Sequence, residues 1–145
     1  MKKTILILFV LALIALTGCQ TYETEMEDKS IVEDEMMEET AGYVDISAME
    51  AKEMIDTNDN LVVIDVSPHY DKGHLPGAVH YYLGDGSLDA AIPTLDKSKD
   101  YLVYCHVDSV AIAGAEKLVD AGFDPVYRLE GNYGGWVDAG YPIEQ

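Results

Sequence analysis

The chain reads as an α/β protein: a mainly parallel five-stranded sheet with helices on both faces. Three observations lead there. Leu61-Val62-Val63-Ile64-Asp65 is a continuous apolar run of the kind found in strands covered on both sides. Strand-like and helix-like stretches alternate from Tyr43 to the end, the order that builds parallel sheets with crossover helices. A second buried-strand pattern, Asp100-Tyr101-Leu102-Val103-Tyr104, is closed by Cys105 and a polar loop, His106-Val107-Asp108-Ser109, that opens an apolar helical stretch.

Taken in order, Tyr43-Val44 suits a short first strand. Ser47-Ala48-Met49-Glu50 is a capping box that starts a helix running to about Asp56. Leu61 to Asp65 is the second strand and Ala78-Val79-His80-Tyr81-Tyr82 the third, followed by a Gly-rich turn and a weak helix around Leu88 to Thr94. Tyr101 to Tyr104 is the fourth strand. Ser109 or Asp108 is expected to cap the next helix, which runs to Ala121; Gly122 ends it, with Phe123 placed for an apolar contact at the cap. Val126 to Leu129 is the fifth strand, and a short helix near Tyr133 to Ala139 closes the chain. In such sheets the functional edge lies at the carboxyl ends of the strands.

The residues before this domain read differently. Lys2 and Lys3 precede an apolar run, Ile5 to Leu16, too short for a comfortable membrane span, and Leu16-Thr17-Gly18-Cys19 ends it. This resembles a bacterial-type lipoprotein signal, which implies removal of residues 1–18 and a diacylglycerol on the Cys19 sulfur. Two acyl chains make a stable anchor where one would be marginal. Residues 19–42 are then the lipidated Cys and an acidic disordered tether, with nine Asp and Glu against Lys29 alone. The mature protein is expected outside the cytoplasm, lipid-anchored to the cell membrane, with the domain at 43–145 monomeric.

The whole chain carries a net charge of −18, and residues 43–145 hold 18 acidic against six basic side chains. A domain this acidic offers no basic patch for nucleic acid or anionic lipid headgroups. Of two cysteines, lipid on Cys19 would leave Cys105 without a partner for an internal disulfide. A lone thiol outside the cytoplasm is either shielded or kept for chemistry. Its place between a strand and a helix start favours chemistry, because unpaired amides and the helix dipole stabilise an anion there.

From Val44 to Ile143 the chain resembles the rhodanese-like sulfurtransferase family. The resemblance rests on Val63-Ile64-Asp65-Val66, then Gly73-His74-Leu75-Pro76-Gly77-Ala78, Val103-Tyr104-Cys105, Ala113-Gly114-Ala115 through Leu118, Gly122-Phe123, and Val126-Tyr127-Arg128-Leu129-Glu130-Gly131 with Trp136 and Ala139-Gly140-Tyr141-Pro142. It implies that Cys105 takes sulfane sulfur from a small donor as a persulfide and passes it to a thiol or other nucleophile. The backbone amides of His106, Val107, Asp108, Ser109 and Val110 would then curl around the sulfur. No cofactor is implied.

The chain departs from the family pattern in the loop itself. Where the family commonly has Gly third and a basic residue fifth after the Cys, this chain has Asp108 and Val110, and the usual Asp-Val-Arg is Asp65-Val66-Ser67. Positive charge that would hold a thiosulfate-like dianion is missing and a carboxylate is added, which argues against thiosulfate and for less charged donors. Phosphatase chemistry is not expected, since Ala111 stands where a phosphate-clamping Arg would be needed.

Asp65 suits either a general acid or base or a carboxylate that organises backbone. The family resemblance implies that Trp136 lies near the rim of the site. Arg128, the only Arg, suits either an anionic substrate or a surface ion pair. His69, His74, His80 and His106 show no metal-ligand spacing, so no metal is expected. Two other readings stay open beside the enzyme: a non-catalytic binding or sensory module of the same fold, and a single-thiol redox partner.

Overall fold

The computed structural model describes residues 42–145. The leader expected over 1–18 and, but for its last residue, the tether expected over 19–42 lie outside them. Five strands make one sheet in the order β1-β5-β4-β2-β3: β1 Val44–Ile46, β2 Leu61–Asp65, β3 Val79–His80, β4 Asp100–Tyr104 and β5 Val126–Leu129. Every pairing is parallel. Three α-helices lie between strands, α1 Ala48–Thr57, α2 Ser87–Ala91 and α3 Asp108–Asp120, and α4 Asn132–Asp138 follows β5.

The apolar run in β2 is explained by burial on both faces. Alternate residues of a strand point to opposite sides. Accordingly Ile64 and Val66 with Tyr101, Val103 and Cys105 pack under α3 through Ala111, Ala115 and Leu118. Val63 with Leu102 and Tyr104 faces the other way, toward Ala51 of α1 and Trp136 of α4. Both faces are covered, as the parallel arrangement requires.

Helix α1 starts as the sequence predicts. Ser47 accepts the Glu50 amide at 3.2 Å and Glu50 reaches back to the Ser47 amide at 2.9 Å. The C-terminus of α3 is likewise as expected. Gly122 adopts φ 82°, its amide donates to Val119 O at 2.8 Å and the Phe123 amide to Leu118 O at 3.0 Å, which carries the buried Phe123 ring edge-on to Tyr101.

Four details differ from expectation. The first strand lies further along, because it is Ile46 that reaches the core while pairing with Leu129. The third is only Val79–His80, an edge strand; beyond it Tyr81 and Leu83 still donate to Asp65 O and Val66 O, but the chain then turns into a 3₁₀ segment at Leu83–Asp85. The weak helix splits into α2 and a 3₁₀ turn, Ile92–Thr94, where Pro93 has no amide to continue an α-helical ladder. Neither Ser109 nor Asp108 caps α3: the N-cap is Val107, with no side-chain hydrogen bond, because Asp108 already lies in the first turn and its carboxylate is drawn to other partners.

Gly114 sets how close α3 comes to the sheet. A Cβ there would lie 3.2 Å from methyls of both Val103 and Val66, which are themselves fully buried. Gly114→Ala should therefore be close to neutral in urea unfolding, a helix-propensity gain of up to about 1 kcal/mol being offset by crowding. Gly114→Leu should cost about 1–3 kcal/mol by overpacking.

Candidate functional site

The direction of chain travel reverses between β2 and β4. From β2 the chain moves outward to β3, whereas from β4 it moves the other way to β5, so the connections leaving the carboxyl ends of β2 and β4 diverge at a topological switch point. Cys105 leaves β4 at this point and Asp65 ends β2 beside it, Asp65 pairing with Tyr104. The loop after β5, which begins α4 at Asn132, closes the same edge.

Cys105 is 2% exposed and unpaired. Its backbone is gripped by two consecutive residues: its amide donates to Asn132 Oδ1 at 3.1 Å and its carbonyl accepts the Tyr133 amide at 2.9 Å. Burial pushes the thiol pKa up, the amides of Val107 and His106 hydrogen-bonding to the sulfur pull it back, and the Asp65 carboxylate adds to the rise. The net direction is upward, so the favourable anion environment expected from the helix start is outweighed by desolvation. Of the five amides the family resemblance implies, that of Val110 is engaged elsewhere. Val110 N–H already donates to Val107 O at 3.2 Å within the first turn of α3, and its side chain packs on the core. Val107, Asp108 and Ser109 have exposed side chains.

Asp65 organises backbone. It is fully buried, with Oδ1 accepting the Ser67 amide at 2.7 Å and Oδ2 accepting the Tyr104 hydroxyl at 3.0 Å, while that hydroxyl accepts the Leu75 amide at 3.0 Å. Burial drives the Tyr104 pKa far upward, so its proton stays on this bond. With its oxygens so engaged, Asp65 fixes the end of β2 and the segment around Leu75.

Arg128 is neither a surface residue nor a free cation. Only 7% exposed, it donates from Nε and Nη2 to both oxygens of Asp45, at 2.6 and 2.8 Å, and from Nη1 to Asp108 Oδ1 at 2.7 Å. These bonds raise its already high pKa. The guanidinium ties β1, β5 and the Cys105 loop together, and the carboxylate that the sequence adds to the loop is turned to this cation. The carboxylate that pushes the thiol pKa up is Asp65.

Trp136 corrects the sequence expectation. It is fully buried in the core between the sheet and α1, donating from Nε1 to Pro142 O at 2.8 Å, because α4 presents that position to the sheet face rather than to the loop. The aromatic residue at the loop is Tyr133. Its ring stacks on His106 with centroids 4.4 Å apart, and His69 meets His106 edge-on at 5.2 Å. Burial lowers the His106 pKa, leaving the ring neutral at neutral pH, and its buried Nε2 has no hydrogen-bond partner. His74 and His80 instead stack on Tyr70, away from this wall.

Asn132 and Tyr133 are the residues that the sequence reading missed. One signal was present for Asn132: a Gly-Asn pair ahead of a helix suits a backbone with positive φ, and Asn132 sits at φ 55°. Nothing local indicated that its side chain would reach the Cys105 amide, 27 residues away.

Removing the Arg128 side chain leaves two carboxylates without a cation, but the Asp45 and Asp108 side chains are 42% and 68% exposed and can turn to water. Arg128→Ala should therefore destabilise by about 1–3 kcal/mol, at the low end for a broken buried pair. Arg128→Lys should recover only part of this, since one ammonium cannot fork onto Asp45. Thermal unfolding, with about 4–8 °C lost per kcal/mol for a domain of this size, measures both.

Comparison with known proteins bears on this arrangement. The chain is 34% identical over 96 residues to the thiosulfate sulfurtransferase GlpE of Coxiella burnetii, covering 65% of this chain and 87% of that one. It is 29% identical to the GlpE protein of Glaesserella parasuis, covering 74% and 97%. Among solved structures, the rhodanese-like domain of the Anabaena sp. Alr3790 protein superposes with a TM-score of 0.62 at 29% identity, over 69% of this chain and 77% of that one. The rhodanese-like domain model matches residues 47–139. That span runs from the cap of α1 past the end of α4 and contains Cys105 with both loops that hold it: the chain belongs to the rhodanese family.

Proposed function

We propose that this protein is a sulfurtransferase that carries sulfane sulfur as a persulfide on Cys105. The observation that carries the reading is the buried, unpaired thiol of a rhodanese domain, placed at the switch point where β4 ends and α3 begins. The Cys105 thiolate attacks the outer sulfur of a donor, forming a Cys105 S–S bond while the donor's own sulfur–sulfur bond breaks and its electron pair leaves with the departing thiolate or sulfite. A thiolate acceptor then attacks the outer sulfur of the persulfide and the Cys105 thiolate departs. The sulfur moves as a neutral atom, so neither half-reaction needs an outside oxidant or reductant.

The donor we favour is a persulfide or polysulfide. Arg128 is committed to Asp45 and Asp108, Val110 is apolar, and His106 is neutral at neutral pH, so the loop supplies amides rather than cations to the incoming group. Each charge-assisted contact a dianion would require contributes roughly 1.5–3 kcal/mol, which this loop lacks. The GlpE relatives are named for thiosulfate, which makes donor preference the property in which this chain is expected to differ. Mass spectrometry after exposure to low-molecular persulfides should show a one-sulfur increment on Cys105 that Cys105→Ser abolishes, and uptake from thiosulfate should be slower. A wild-type chain left unmodified by thiosulfate, polysulfide and persulfide alike would favour a non-catalytic binding module instead.

The mature protein we place outside the cytoplasm, held to the membrane by lipid on Cys19, with the acidic segment as a spacer. What supports this is the leader pattern ending in Leu16-Thr17-Gly18-Cys19. With about 0.8 kcal/mol per buried methylene, two acyl chains hold where the acidic polypeptide alone would not. Cys19→Ser should accordingly block processing or move the protein from the membrane fraction to the soluble one; normal processing with retention on the membrane would overturn the assignment.

A further inference from the structure

We propose that Asn132 is a positioning residue for the Cys105 thiol, acting through the backbone of the loop and anchored by Asp108 and Arg128. Its consequence for catalysis rests on the persulfide-carrier reading; its test does not.

The Asn132 side chain is buried and both of its polar ends are used. Oδ1 accepts the Cys105 amide at 3.1 Å, and Nδ2 donates to Asp108 Oδ1 at 2.7 Å. One carboxamide thus spans the loop from its first residue to its fourth. The same Asp108 oxygen takes Arg128 Nη1 at 2.7 Å, so the strap is moored to β5 and, through Asp45, to β1. The next amide along from Asn132, that of Tyr133, holds the Cys105 carbonyl at 2.9 Å.

Between these fixed ends lie His106 and Val107, whose amides favour the thiolate against the cost of its burial. Short loops hold amides in a convergent arrangement only when their ends are restrained, since each unrestrained residue regains backbone entropy by leaving it. The strap also consumes the Cys105 amide.

Asp108 could instead act on the thiol by charge, and the two roles have opposite signs. A carboxylate acting at a distance raises a thiol pKa, so removing it would lower the pKa. A carboxylate that holds the loop aligns amides that favour the thiolate, so removing it raises the pKa.

The experiment is the pH profile of Cys105 alkylation by iodoacetamide in the full chain, read by peptide mass analysis so that Cys19 does not contribute. Asn132→Gly keeps a backbone free to adopt positive φ and removes the strap. Its alkylation midpoint should rise by about 0.5–1 pH unit, with the rate at neutral pH falling roughly 3- to 10-fold. Asp108→Gly should shift the midpoint in the same direction. That variant serves if Asn132→Gly does not fold, because it removes the mooring of the strap and leaves Asn132 itself in place. An Asn132→Gly profile that superimposes on that of the unaltered chain, even with a lowered Tm, would make the residue merely structural and overturn the proposal. A midpoint that falls in Asp108→Gly would overturn it as well, by assigning the effect to charge. Because alkylation needs no sulfur donor, a chain that shows these shifts yet takes up no sulfane sulfur refutes the proposed function and leaves the positioning role standing.

Discussion

The parallel pairing of β2 with β4 is the constraint on which the rest of the molecule depends. It joins Leu61–Asp65 to Asp100–Tyr104 over five residue pairs at the centre of the sheet. Because both strands are covered on both faces, neither leaves room for polar side chains along its length. Apart from Asp100 at the amino end of β4, the polar groups are driven to the carboxyl ends, where Asp65, Ser67 and Cys105 gather. The buried bond from the Tyr104 hydroxyl to Asp65 closes this pair at its last register position and extends the order to Leu75. A strand slipped by one residue would turn Cys105 and Tyr104 to the wrong faces, so the core's apolar pattern and the site's geometry are enforced by one register.

Charge shapes the site by what it withholds. The chain carries −18 net and a single Arg, and that Arg is spent on structure, between Asp45 and Asp108. The arrangement neutralises a carboxylate that would otherwise stand in the loop, and it leaves no guanidinium for a substrate. The thiol is accordingly governed by burial and by two amides. Its pKa lies above that of an ordinary thiol, so only a minor fraction is thiolate at neutral pH. A persulfide in the same cradle spreads its charge over two sulfurs and ionises more readily than the parent thiol. The environment therefore suits holding transferred sulfur better than it suits a free, highly reactive thiolate.

The ring that follows the thiol adds to that character. His106 lies flat on Tyr133 and meets His69 edge-on, its Nε2 is shielded without a partner, and burial holds the ring neutral.

Much of this was legible in the residues themselves. The apolar run at β2, the capping box at Ser47 and Glu50, the Gly122 stop with Phe123 behind it, and a Cys between a strand and a helix are all local patterns, set by backbone hydrogen bonding and side-chain periodicity within a few residues. They determined the α/β class, the position of nearly every element and Cys105 as the centre of interest. What only the tertiary structure decided depends on partners far apart in the chain. Arg128 meets Asp45 across 83 residues, Asn132 reaches the Cys105 amide across 27, and Trp136 is taken into the core by the face that α4 presents to the sheet. Composition shows an isolated Arg and an added Asp; their direction toward each other, and away from the sulfur, follows from the β1-β5-β4 strand order, which no local pattern encodes.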